Sequence, residues 1–155
     1  MSVAFRRDSD EEHLEPRFEL PIPPGPNLVT RRGYALIEAR CGELDSLLAG
    51  ETDEDRRKAL LRDLRYWRNR LTSAQVVGKP DGGTVGIGTR VTLQAGGRSR
   101  VLTIVGHDES DAASDRIAFA APIARALMGA EVGDEIVLPG LGEARVIQID
   151  VEDGA

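Results

Sequence analysis

Two apolar seams stand in mirror order on either side of the middle of this chain. Tyr34, Ile37, Cys41, Leu44 and Leu48 recur at steps of 3, 4, 3 and 4, and Leu60, Leu64, Trp67, Leu71 and Ala74 at steps of 4, 3, 4 and 3. Such steps place side chains on one stripe of an α-helix. Pairing 34 with 74, 37 with 71, 41 with 67, 44 with 64 and 48 with 60 gives one index sum, 108, as an antiparallel hairpin turning near residue 54 requires. The register sets the large Trp67 against the small Cys41, which suits close packing, and brings Glu38 opposite Arg68 as a flanking ion pair. Thr30 suits the N-cap of the first helix and Gly50 its C-terminal stop. At ~1.5 Å per residue, an arm from Arg31 to Ala49 is about 28 Å long, so the hairpin protrudes as a finger.

The turn of this hairpin is charged. "LLAGETDEDRRKALL" packs Glu51, Asp53, Glu54 and Asp55 into five residues. Ordinary helix-start chemistry accounts for them, with Thr52 as cap and the next three carboxylates opposing the positive end of the helix dipole. An acidic tip made to meet a metal held by another molecule accounts for them equally well, because magnesium prefers hard oxygen ligands and is commonly held by one or two carboxylates. Behind the tip, Arg56 to Arg70 holds seven bases against the single acid Asp63. Lys58, Arg62 and Arg65 fall on the side away from the seam, either as a solvated face or as phosphate contacts.

Residues 80–155 carry 12 acids and 6 bases, which argues against nucleic-acid binding by that half; residues 1–79 carry 14 of each. Cys41 is the only cysteine and His13 and His107 the only histidines, which excludes an internal disulfide and a cysteine-based zinc cluster. No apolar run approaches the roughly 20 residues that cross a bilayer. The start "MSVAFRRDSDEEH" lacks the apolar middle of a signal peptide, so a cytoplasmic location and no membrane partner are expected. With Trp67 and Cys41 inside the seam, a monomer is expected.

Residues 1–27, with "PRFELPIPPGP", read as a flexible tail from which Phe18, Leu20 or Ile22 docks at most locally. The hairpin spans 28–77, and "GKPDGG" at 78–83 is a linker. Beyond it, "TRVTLQ" and "SRVLTIVG" alternate about the turn "AGG", "HDESDAASD" reads as a polar loop, "RIAFA" as a strand, and "PIARALMG" as a short helix. "GDEIVLPGLGEARVIQIDV" supplies two more strands. The expected fold class is α+β: a two-helix coiled-coil hairpin followed, over 84–155, by a small antiparallel sheet domain with one short helix.

The succession "LVTRRGYALI", long hairpin, "LTSAQVV", "IVGHDESD", "APIARALMGAEVGDEI" and "PGLGEARVIQID" resembles the bacterial GreA/GreB transcript-cleavage and elongation factors, from Leu28 to about Val151. The resemblance implies an FKBP-like C-terminal domain that holds RNA polymerase, with Asp108, Glu109, Pro122 and Ile123 as contacts. It also implies a finger inserted into the polymerase secondary channel, where Asp53 and Glu54, with Glu51 and Asp55 nearby, share the magnesium of the polymerase active centre. No cofactor of its own is implied, and the chain is not itself an enzyme. Lys58, Arg62 and Arg65 would track nascent RNA. The tip "AGETDEDRRKAL" differs from the family's "GD-x-x-EN-A-x-Y", and the arms are about ten residues shorter, a loss of roughly 15 Å of reach. Two alternatives accompany this reading: a channel-occupying inhibitor without cleavage activity, and a regulator of nucleoside diphosphate kinase. Prolyl isomerisation is not expected, since Phe119 is the sole aromatic residue after position 80.

Overall fold

The computed structural model describes residues 19–155. Helix α1 (Arg31–Gly50) and helix α2 (Glu54–Ser73) are 20 residues each, about 30 Å of helix apiece, and pack as an antiparallel pair. Ile37, Cys41, Leu44 and Leu64 are buried along the predicted seams, and Tyr34, Leu48, Leu60, Trp67, Leu71 and Ala74 are half-buried beside them. Burial pushes the Cys41 thiol above its ordinary range, and the Asp45 carboxylate adds to the effect. Thr30 caps α1 as expected, its hydroxyl accepting from the Gly33 N–H at 3.0 Å. The flanking pair differs from expectation: Arg68 bonds Asp45 at 2.7 Å and not Glu38. Side chains on a helix lean toward its N-terminus, so Arg68 on α2 leans toward the tip while Asp45 on α1 leans toward the base, and the two meet.

The open end of the hairpin is closed by strands that the sequence pattern did not announce. β1 (Leu28–Val29) pairs in parallel with β2 (Gln75–Val76), and the buried Asn27 side chain donates to the Arg70 carbonyl at 2.8 Å. Of the segment expected as a flexible tail, residues 1–18, including Phe18, lie outside the described residues. Residues 19–27 run along the base, where Glu19 pairs with Arg65 and prolines 21, 23, 24 and 26 line a hollow shared with Arg70, His107 and Phe119.

The rest of the chain forms a five-stranded sheet in the order β5-β4-β3-β7-β6. These strands are β3 (Thr89–Ala95), β4 (Arg98–Val105), β5 (Arg116–Ala118), β6 (Glu135–Leu138) and β7 (Gly142–Val151). Gly96 and Gly97, at φ 56° and 77°, supply the left-handed turn between β3 and β4. Helix α3 (Pro122–Leu127) lies on one face, burying Ala124 and Leu127 with Val91, Leu93, Leu102, Ile104, Leu138 and Val146. Full burial of each such Leu or Ile stabilises the fold by about 1.5–3 kcal/mol. The sheet is mixed, where an antiparallel one was expected. β5 lies parallel to β4, because the "HDESDAASD" stretch is a crossover of two 3-10 turns, 107–109 and 112–114, that carries the chain back along the edge.

That crossover also holds the finger. Arg70 is 3% exposed and donates from Nε to Asp108 Oδ2 at 2.6 Å, while the Asp108 side chain is 4% exposed and accepts from the Tyr66 hydroxyl at 2.5 Å. Arg70 Nη2 donates to Asn27 Oδ1 at 2.8 Å, a second bond from the same fork. The Glu109 side chain, 1% exposed, accepts from Thr30 Oγ1 at 2.7 Å and from the backbone N–H groups of Thr30 and Gly106, each at 3.3 Å. A carboxylate is thereby set at the positive end of α1. Gly33 and Gly106 permit the approach: a Cβ on Gly33 would lie 2.2 Å from Glu109 Oε2, and one on Gly106 2.6 Å from the Leu28 carbonyl oxygen.

Two outcomes follow for this junction. Gly33→Ala expels the Glu109 carboxylate and lowers stability by about 1–3 kcal/mol, and Arg70→Met strands Asp108 at a cost of about 3–5 kcal/mol, both read from denaturant midpoints. Burial, followed by the hydrogen bond to Asp108, raises the Tyr66 phenol well above its ordinary value of 10.0. The fold therefore favours the neutral phenol, a contribution complete below pH 10 and lost as the pH climbs beyond it. Wild-type protein should lose stability above that pH more steeply than Tyr66→Phe.

Candidate functional site

At the far end of the finger the chain reverses through Glu51, Thr52 and Asp53. Asp53, and not Thr52, is the N-cap of α2: its Oδ2 accepts from the Arg56 N–H at 3.0 Å. Glu51 Oε2 accepts from the N–H groups of Thr52 and Asp53 at 3.1 and 3.3 Å. Arg57 reaches back to donate to the carbonyls of Leu48 and Glu51 at 3.0 and 2.9 Å, and the Leu48 carbonyl also accepts from the Glu51 N–H at 3.3 Å, so the end of α1 is closed. Two of the four clustered carboxylates thus hold the turn itself. Glu54 and Asp55 project from the first turn of α2, exposed, and make no hydrogen bond or ion pair among the described residues. Opposing the dipole there stabilises α2 by roughly 0.3–1 kcal/mol each.

The tip does not constitute a metal site by itself: among the described residues no three His, Cys, Asp or Glu side chains are grouped so as to hold an ion. Its donors fit a magnesium ion only as one or two carboxylates added to ligands supplied by another molecule. Asp53 brings a single oxygen not engaged by the cap, and Glu54 both of its own. Beside the acids lies an apolar hollow of about 290 Å³ lined by Leu47, Glu51, Arg56, Ala59 and Leu60.

The basic face is partly occupied. Arg62 pairs with Asp63 at 3.1 Å, and Arg65 is gripped by both oxygens of Glu19, its Nη2 at 2.6 Å and its Nε at 3.1 Å. Lys58 is exposed and makes no ion pair among the described residues.

On the sheet domain, the four residues expected at a partner-facing surface divide. Asp108 and Glu109 are turned inward and spent on the junction, because the buried Arg70 and the start of α1 take their oxygens. They are positioning residues for the finger. Pro122, at the start of α3, is exposed, whereas Ile123 packs half-buried against the core. Sequence reasoning missed Arg70, Tyr66, Asn27 and Thr30 as partners of these acids. One signal was present, since Tyr66 and Arg70 stand four apart on the shoulder of the seam and not on the face opposite it.

The family description "Transcription elongation factor, GreA/GreB, C-term" matches residues 79–151. The transcription elongation factor GreB of Neisseria meningitidis is 33% identical over 108 residues, 61% of this chain and 63% of its own length. GreB of Pseudomonas aeruginosa is 30% identical over 146 residues, 79% of this chain and 87% of that one. Among solved structures, GreA factor homolog 1 of Thermus thermophilus aligns with a TM-score of 0.42 at 20% identity, covering 81% of this chain and 99% of that chain. From the span of the Pseudomonas match, and from the sheet-domain match joined to it, the chain belongs to the GreA/GreB family of transcription elongation factors.

Proposed function

We propose that this protein binds RNA polymerase and modulates elongation by placing its finger in the polymerase secondary channel. The observation that carries the reading is an acidic turn held at the end of two 20-residue helices, whose base is locked to a sheet domain by the buried Asp108 and Glu109. Length and rigidity suit a probe that enters a channel while the platform stays outside. Pro122 and the exposed surface around it are the platform residues offered to the polymerase. Occupancy is the principal action, because Glu51 and Asp53 already serve the turn. The exposure of Glu54 and Asp55 favours a second action, assistance to transcript cleavage through the magnesium of the polymerase, with Lys58 and Arg62 facing RNA phosphates.

Stalled elongation complexes carrying backtracked RNA separate the two. Excess protein is expected to suppress fragment release by a long-fingered cleavage factor through competition for the channel; release that continues undiminished overturns channel occupancy. Any fragment release by the protein alone should vanish in Asp53→Asn/Glu54→Gln/Asp55→Asn, a variant that keeps the cap acceptor, without weakening the competition. Asp53→Ala, by contrast, removes the cap and costs about 1 kcal/mol of stability. Affinity capture that recovers nucleoside diphosphate kinase and no polymerase would transfer the protein to the other class.

A further inference from the structure

The segment that precedes β1 forms one wall of a hollow of about 350 Å³ at the base of the finger. Ile22 and Pro23 of that segment line it together with Phe119 and Ala120 of the platform, and Arg70 and His107 are the residues with polar side chains among those around it. The wall is fixed at both ends, by Glu19 on Arg65 and by Asn27 on Arg70 and Ser73, so the hollow is preformed. Arg70 is 3% exposed, and two of its three guanidinium nitrogens are engaged, Nε by Asp108 and Nη2 by Asn27. Nη1 makes no hydrogen bond among the described residues, yet it is not sealed, since among those residues only Arg116 Nε is a side-chain nitrogen or oxygen both buried and unpartnered. The hollow that Arg70 lines is the opening left to it.

We propose that this hollow binds a small uncharged molecule with a flat apolar body and one oxygen acceptor, an amide or ketone carbonyl, which accepts a hydrogen bond from Arg70 Nη1. A buried donor without an acceptor costs free energy, so a ligand that supplies the acceptor gains over one that only fills the space. Proline rings and the Phe119 ring suit an aromatic body. Asp108 already balances the charge of Arg70 at 2.6 Å, so the acceptor needs no charge of its own, and a carboxylate placed there would meet the like charge of Asp108. Mostly apolar walls with few polar groups are the usual make-up of a small-molecule site. Bound there, the ligand bridges the segment before β1, the returning helix and the platform, and so adds to the junction that Asp108 holds. This site stands whether or not the polymerase reading holds.

Benzamide is the probe that tests it. Titrated into the full-length protein and followed by NMR, it should shift the Phe119 ring, the Ala118 and Ala120 methyls and the Arg70 guanidinium signals along one saturating curve, with a Kd of about 1–10 mM, the range open to so small a ligand. Toluene, which lacks the acceptor, and benzoate, which adds a charge, should each bind at least about fivefold more weakly, the scale of one hydrogen bond. Arg70 stays intact in these tests, because its loss unfastens Asp108. Ala120→Phe, which fills the hollow from an exposed position, should abolish the shifts and keep the melting temperature. Ile22→Gln, on the opposite segment at a position 46% exposed, should weaken binding likewise and serves if the first variant does not fold. Shifts that never saturate, shifts unchanged in the folded variant, or toluene or benzoate binding as tightly as benzamide each overturn the proposal.

Discussion

Two neighbouring carboxylates, Asp108 and Glu109, hold the finger to the platform by opposite halves of its base. Asp108 takes the guanidinium of Arg70 and the phenol of Tyr66 from the returning helix, and Glu109 takes the start of the outgoing one. A buried charge is expensive unless partners replace its water, and here Asn27 adds a second bond to Arg70, while Thr30, Gly106 and, at 3.8 Å, the Arg116 guanidinium surround Glu109. Hydrophobic contact alone would leave two long helices free to pivot on a small sheet. Directional bonds to both helices fix the angle at which they leave it. Gly33 and Gly106 belong to the same device, because a side chain at either would fill the space that the carboxylate or the chain backbone requires.

At the other end of the finger, structural and outward chemistry draw on the same residues. A hairpin of two helices exposes N–H groups at one helix start and carbonyls at the other helix end, and both need partners. Asp53 and Glu51 answer the first need and Arg57 the second. Only the acids one turn further on, Glu54 and Asp55, are left without internal work among the described residues. The four clustered carboxylates therefore form two functional groups, a pair that makes the turn and a pair that the turn presents. This division leaves an acidic point at the end of the finger, with Arg56, Arg57 and Lys58 directly behind it.

Much of this architecture was legible in the chain. Both seams, the antiparallel helix pair, the Thr30 cap and the strands about "AGG" and "PGLG" follow from short-range periodicity and from the conformational demands of Gly and Pro. The Arg68 pairing was misread because sequence spacing alone ignores the lean of side chains along a helix. The inward turn of Asp108 and Glu109 was not legible for a different reason. A run such as "HDESD" looks solvated to any local reading, and the partners that bury it stand 38 and 79 residues away.

What the sequence determined by itself is the set of elements and the packing of the hairpin, because apolar spacing within a few turns of helix or a few residues of strand decides which face leaves water. Tertiary structure alone decided which charges stay exposed and which are internal fastenings. The fate of a carboxylate depends on whether a distant cation or helix start arrives to replace its water, and no local pattern records that arrival.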